Sequence, residues 1–160
     1  MGLTFERCDL THADARALIE ELNAELMERY PEPGANHFSL DPDEVAAGKG
    51  LFLIVRRDGA AIGCGAVRML DGETAELKRM FTRPAARGLG IGKKLLVALE
   101  DEARRLGARR LVLETGTRQT EAMALYAGSG FHPIPPWGEY LASASTSTCM
   151  AKDLDPADGG

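Results

Sequence analysis

Hydrophobic positions along the chain fall into segments of two periods, near 2 and near 3.6 residues, divided by glycine, proline and Asp-Gly breaks. Leu3 to Cys8 reads as a short strand. Thr11 then offers a helix N-cap with Asp14 at the third helical position, and Ala17, Leu18, Leu22 and Leu26 keep a helical period up to Tyr30. The helix should stop before Pro31, because the residue ahead of a proline is pushed out of the helical region. Pro31 to Asn36 reads as a loop, and Asp41 to Ala47 as one more short helix. Leu51 to Val55 is an unbroken apolar run, which suits a strand buried on both faces. Asp58-Gly59 and Asp71-Gly72 each supply a two-residue turn, so Leu51 to Val55, Ala61 to Leu70 and Thr74 to Thr82 form an antiparallel meander.

The third strand of the meander runs through Pro84 into three alternating glycines, Gly88, Gly90 and Gly92. Beyond them Ile91, Leu95, Leu96, Leu99, Ala103 and Leu106 line one helical face, which Gly107 terminates. Arg110 to Glu114 is the next strand, so the unit is a right-handed parallel crossover with its glycine turn at the carboxyl end of the first strand. Glu121 to Ala127 forms a further helix closed by Gly128-Ser129-Gly130. An extended region starts at Phe131 and is interrupted by Pro135-Pro136, and Thr146 to Lys152 is the last strand. There is no internal repeat. The pattern predicts residues 1–153 as a single domain and 154–160 as a frayed tail.

Composition narrows the function. The chain of 160 residues is 44% hydrophobic and 27% charged, with a formal net charge of −5. No apolar run approaches the ~20 residues of a membrane span, and the N-terminus lacks a signal core, so the expected compartment is the cytoplasm. An acidic chain argues against broad nucleic-acid binding. Cys8, Cys64 and Cys149 are widely separated and read as small buried apolar residues, and His12, His37 and His132 have no metal-ligand spacing. No metal is expected. Between Lys78 and Lys94, however, there are six basic residues and no acidic one, so the glycine turn is locally cationic. Free amides at a helix start, approached closely through glycines, favour phosphate oxygens.

Spacing separates the phosphate ligands that such a turn could hold. A triphosphate P-loop needs G-x-x-x-x-G-K-[ST], but Arg87 stands at its first glycine and Lys94 at its hydroxyl. A dinucleotide fingerprint needs a glycine where Lys93 or Leu95 stands. What remains is [Q/R]-x-x-G-x-[G/A], met by Arg87, Gly90 and Gly92. Here the sequence resembles the GNAT superfamily of acetyl-CoA-dependent N-acetyltransferases. The strand A-E-L-K-R-M-F-T, the helix, the strand L-V-L-E-T and the segment E-A-M-A-L-Y-A-G-S-G-F follow in the family's order, and Ala122, Leu125, Tyr126, Gly130 and Phe131 match the last motif.

The resemblance implies an α/β (α+β) fold: a mixed, mostly antiparallel sheet of about six to seven strands flanked by about four helices. It implies an enzyme that moves an acetyl group from acetyl-CoA to a primary amine, with a small-molecule or peptide acceptor and a possible homodimer. A non-catalytic acyl-CoA-binding module on the same fold is the alternative. Arg87, Gly88, Leu89, Gly90, Ile91, Gly92 and Lys93 would hold the pyrophosphate. Met80, Phe81 and Thr82 would offer amides to the pantetheine arm, and Gln119 stands where the family often has an asparagine. Glu76 matches the glutamate that takes the amine's proton in some members; its other reading is a carboxylate paired with Lys78 or a neighbouring strand's arginine. Tyr126 matches the tyrosine that protonates the coenzyme A sulfur, or is an aromatic packing residue. Trp137 and Tyr140 are open to three roles: lining the acceptor pocket, covering the core, or forming a dimer contact.

Overall fold

The computed structural model describes residues 2–31 and 42–155. Among these, the strands are β1 (Leu3–Arg7), β2 (Gly50–Arg57), β3 (Ala60–Met69), β4 (Thr74–Thr82), β5 (Arg110–Gly116), β6 (His132–Ile134) and β7 (Ser147–Asp153). The helices are α1 (Ala13–Arg29), α2 (Ile91–Arg105) and α3 (Thr120–Gly128). One seven-stranded sheet runs in the order β1-β2-β3-β4-β5-β7-β6. Every neighbouring pair is antiparallel except β4 with β5, the crossover spanned by α2.

Both faces of the sheet are covered, which is why β2 reads as a continuous apolar run. Leu51, Leu53 and Val55 face α2, whose Ile91, Leu95, Leu96, Leu99 and Ala103 are buried against them with Leu111 and Leu113 of β5. Phe52 and Ile54 face the other way, onto Leu18 and Leu22 of α1 with Cys64, Ala66 and Phe81. Each fully buried Leu or Ile contributes about 1.5–3 kcal/mol, so the two helices are fixed to opposite faces mainly by these side chains. No helix among the described residues is long and apolar enough to cross a membrane.

Several expectations are corrected. Three α-helices are present among the described residues rather than about four, since the predicted helix at Asp41 to Ala47 is a single 3₁₀ turn at Pro42–Val45; Asp41 lies outside the described residues, as do residues 32–36 of the predicted loop and His37. The N-cap of α1 is His12, whose Nδ1 accepts from the Asp14 amide at 3.1 Å. Thr11 instead turns back on Asp9, donating to Oδ1 from its amide at 3.0 Å and its hydroxyl at 2.9 Å. A carboxylate two residues upstream outcompeted the cap. The last strand ends at Asp153, and Leu154 is buried with its amide donating to the Arg109 carbonyl at 2.8 Å, so the expected tail is docked at its start; residues 156–160 lie outside the described residues.

Candidate active site

The site originates in an irregularity of β4. Cys64 pairs with Phe81 and Ala66 with Lys78, so three steps along β4 face two along β3. The extra residue is a β-bulge, and Arg79 adopts the left-handed φ of 57° there. Arg79 and Met80 thereby leave the ladder. On the other edge, β4 pairs with β5 only over Thr74 to Leu77, although β4 continues to Thr82 and β5 to Gly116. Past that point the two strands diverge.

A cavity of about 100 Å³ opens in the gap, walled by residues 77–80 of β4, residues 114–116 of β5, Leu22, Leu26 and Tyr30 from α1, Gln119, Ala122 and Tyr126 around α3, and Tyr140. A larger cleft of about 600 Å³ meets it along Leu22, Met80, Gln119, Ala122 and Tyr126. Its far wall is the glycine turn, residues 86–88 and 90–93, together with Phe81 and Thr82.

The turn is built for close approach by a ligand. Gly88 and Gly90 have φ of 84° and 75°, and a Cβ on either would meet no protein atom within 4 Å. Their left-handed backbone explains the glycines, and the space beside them is open. Gly90 is the N-cap of α2, so the amides that follow at Ile91, Gly92 and Lys93 have no carbonyl within the helix to bond and point out of its end. Arg87 braces this turn. Its Nε donates to the Thr82 carbonyl at 2.9 Å and its terminal nitrogen to both Glu25 oxygens at 2.8 and 3.1 Å, tying α1 to the end of β4.

The remaining predicted residues are mostly brought to the same place. Met80, Phe81, Thr82, Gly88, Gly90, Ile91, Gly92, Lys93 and Gln119 wall the cleft together with Arg87. Leu89 does not; between two left-handed glycines its side chain turns outward and is 44% exposed. Tyr126 lies where cavity and cleft meet, its ring edge-on to Phe131 at 5.7 Å. Burial, with the Glu114 carboxylate nearby, pushes its phenol well above the ordinary tyrosine value, so the hydroxyl stays protonated.

Glu76 has no exposed surface and does not wall either cavity. Its Oε1 accepts from Arg68 Nε at 2.8 Å, the neighbouring strand's arginine, and its Oε2 from the Tyr140 hydroxyl at 2.5 Å. Burial pushes the Cys64 thiol up to about 12, which leaves it un-ionised and inert.

The turn, the bulge and the buried tyrosine at the meeting point can be compared with known proteins. The profile described as the Acetyltransferase (GNAT) family matches residues 15–131. The chain belongs to the GNAT acetyltransferase family. As a member it is an acetyltransferase, and its relatives carry that name. It is 45% identical over 124 residues to an IAA acetyltransferase of Azospirillum brasilense, covering 77% of this chain and 80% of the relative. A solved protein of Klebsiella pneumoniae, described as an acyl-CoA N-acyltransferase, superposes with a TM-score of 0.80 at 32% identity, over 96% of this chain and 98% of that one. A GNAT family acetyltransferase of Elizabethkingia anophelis, solved with acetyl-CoA bound, shares the fold at a TM-score of 0.69 and 18% identity, over 96% of this chain and 99% of that one.

Against this GNAT framework, sequence reasoning missed Tyr30, Lys78, Arg79, Glu114 and Arg118, which wall the cavity or the cleft. Lys78 and Arg79 carried a signal, two charges inside a strand otherwise fit for burial. Both are nearly buried, and Arg79 donates to Asn23 Oδ1 of α1 at 2.9 Å. Tyr30 carried none.

Proposed function

We propose that this chain transfers an acetyl group from acetyl-CoA to a primary amine seated in the smaller cavity, by direct attack within a ternary complex. The observation that carries this reading is the junction of an amide-rich glycine turn with a polar cavity at Tyr126. The cleft's volume of about 600 Å³ lies in the ordinary range for cofactor and ligand sites, roughly 300–1,000 Å³. The pyrophosphate lies against the amides of residues 88–93, where the start of α2 favours negative charge. Arg87 acts here as a strut that keeps the turn in place. The pantetheine arm follows Phe81 and Thr82 toward Met80 and Gln119, and the thioester reaches the bulge.

An alkylammonium has an ordinary pKa near 10.4, so the acceptor must arrive as, or be converted to, the free amine. Lys78, Arg79 and Glu114 wall the cavity, so charges of both signs face the acceptor and its proton has to be taken up by a base. The free amine attacks the thioester carbon, Glu76 receives the proton that the nitrogen sheds, and Tyr126 supplies a proton to the departing sulfur. General acid or base groups of this kind contribute about 10²–10⁴-fold in rate.

Thiol release from acetyl-CoA is measured with ethanolamine, putrescine, L-alanine, tryptamine and a short peptide with a free N-terminus. Turnover with at least one amine, lowered by about 10²-fold in Tyr126→Phe, supports the reading. Tight acetyl-CoA binding with no turnover on any amine replaces it with a non-catalytic acyl-CoA-binding module.

A further inference from the structure

Glu76 is the proton acceptor in the proposed reaction, yet it cannot touch the acceptor: its carboxylate is fully buried and walls neither cavity. The group that stands between it and the cavity is Tyr140. That side chain is 3% exposed, walls the smaller cavity, and donates its hydroxyl hydrogen to Glu76 Oε2 at 2.5 Å. We propose that Tyr140 is the residue that meets the acceptor amine, and that it passes the amine's proton to Glu76. The proposal rests on the acetyl-transfer reading above.

The surrounding contacts fit a relay. Arg68 Nε holds Glu76 Oε1 at 2.8 Å, and the other end of the same guanidinium pairs with Glu44 at 2.6 Å. Glu76 therefore keeps one oxygen as a fixed strut and turns the other toward Tyr140. A buried carboxylate needs partners for its charge, and Arg68 already supplies the countercharge. The second bond goes to a residue delivered from a separate segment, the 3₁₀ stretch Gly138–Ser143, whose Tyr140 ring is set edge-on against Trp137 at 5.1 Å. A phenylalanine would fill that ring position, so the hydroxyl is there for its bond to Glu76 and not for the packing of the ring.

The protons balance as follows. The neutral amine attacks the acetyl carbon, the C–N bond forms, and the carbonyl pair moves onto oxygen. The nitrogen, now positively charged, gives one proton to the Tyr140 oxygen while the Tyr140 hydroxyl proton passes to Glu76 Oε2. Collapse breaks the C–S bond with its pair on sulfur, and Tyr126 protonates the thiolate. Glu76 is left protonated and Tyr126 ionised; the Glu76 proton returns through the Tyr140 hydroxyl to the cavity that Tyr140 and Tyr126 both wall, where water carries it to Tyr126 and both groups are restored. One proton has left nitrogen and one has reached sulfur.

The test uses the full chain, acetyl-CoA and whichever amine of the panel turns over fastest. Tyr140→Phe and Glu76→Gln are each expected to lower kcat by about 10²-fold while leaving the acetyl-CoA Kd, read by calorimetry, unchanged. The double variant is expected to be no slower than either single one, because residues that act as one unit are not additive. Glu76→Gln keeps the size of the side chain, so it decides the question if Tyr140→Phe fails to fold. Wild-type kcat in either folded variant overturns the relay, as does a double variant whose losses multiply. Absence of wild-type turnover with every amine overturns the acetyl-transfer reading and the relay with it; wild-type turnover untouched by these substitutions overturns the relay alone.

Discussion

Replacing Gly116 with alanine probes the closest approach in the site wall. A Cβ at this position would overlap Tyr30 Oη and Cζ and stand 2.8 Å from Cε2, whereas carbon atoms rest about 3.5–4.0 Å apart. The ring can retreat only into the cavity it walls, and only by giving up its present contacts. Tyr30 is 2% exposed, its hydroxyl accepts the Arg118 amide at 2.6 Å, and the Arg118 guanidinium lies 4.9 Å above its ring. Overpacking of this kind costs about 1–3 kcal/mol. A shift of the ring also weakens the Arg118 hydrogen bond, for roughly another 0.5–1.5 kcal/mol. The sum, about 2–4 kcal/mol, lowers Tm by roughly 5–15 °C in a domain of this size. Calorimetric melts of wild type, Gly116→Ala, Tyr30→Ala and the double variant measure it. Tyr30→Ala empties the space into which the new methyl points, so the double variant should be more stable than additivity predicts, by about 1–3 kcal/mol. Strict additivity, or a Gly116→Ala protein that melts with wild type, would show that Tyr30 does not sit on the glycine.

Arg87→Ala removes the donors to the Thr82 carbonyl and to Glu25, so the turn loses its brace; acetyl-CoA affinity should fall roughly tenfold, equivalent to about 1.4 kcal/mol, with little change in Tm. Calorimetric titration of wild type and variant checks this. Cys64 should resist thiol reagents at pH 8, since burial holds its pKa at about 12, and should become reactive only in denaturant; rapid labelling of Cys64 in the folded chain, identified by peptide mapping, would contradict its placement. The Asp14 carboxyl is held below the ordinary 3.8 chiefly by its hydrogen bond from Arg56. A carboxylate lowered on folding stabilises the protein above its unfolded value and loses that contribution as pH falls through its folded value. The Tm gap between wild type and Asp14→Asn should therefore be present at pH 7 and close below about pH 3.8.

The elements were legible where periodicity and turn chemistry agreed. The three strands of the meander, the glycine turn and the apolar face of α2 are each announced by local residues, and the structure places them as expected. The cap of α1 was not, because Thr11 is the residue type expected at a cap and only the fold shows the Asp9 carboxylate holding it while His12 caps the helix. The cleft was readable in outline, since the residues of its turn are contiguous. The smaller cavity was not, because its walls come from α1, β4, β5, α3 and the segment after Pro136, and no local pattern reports which side chains meet across such separations. Glu76 illustrates the gap: the strand pattern shows a carboxylate at a position fit for burial, but only the folded chain shows Arg68 and Tyr140 on its two oxygens.

The cavity exists because two halves of one sheet are committed to different partners. β5 is paired with β7 along its whole length, from Arg110 opposite Asp153 to Gly116 opposite Ser147, so β7 sets its direction. β4 is held by β3 as far as Thr82 opposite Gly63. Only four residues of each strand join these halves, and the bulge at Arg79 adds twist to β4 immediately beyond them. The strands must then part, and their unpaired backbone groups cannot remain buried without partners. Tyr30 of α1 accepts the Arg118 backbone amide just past β5, the Arg79 side chain ties the bulge to Asn23 of α1, and α3 closes the third side. What is left between them is a polar cavity with a tyrosine at each of three walls, Tyr30, Tyr126 and Tyr140. Of these, Tyr30 spends its hydroxyl accepting a backbone amide, Tyr126 stands toward the cleft, and Tyr140 bonds the buried carboxylate of Glu76 behind the wall. The division of labour among the three therefore follows from which strand each leans on, and the bulge is the feature that gives them a common space.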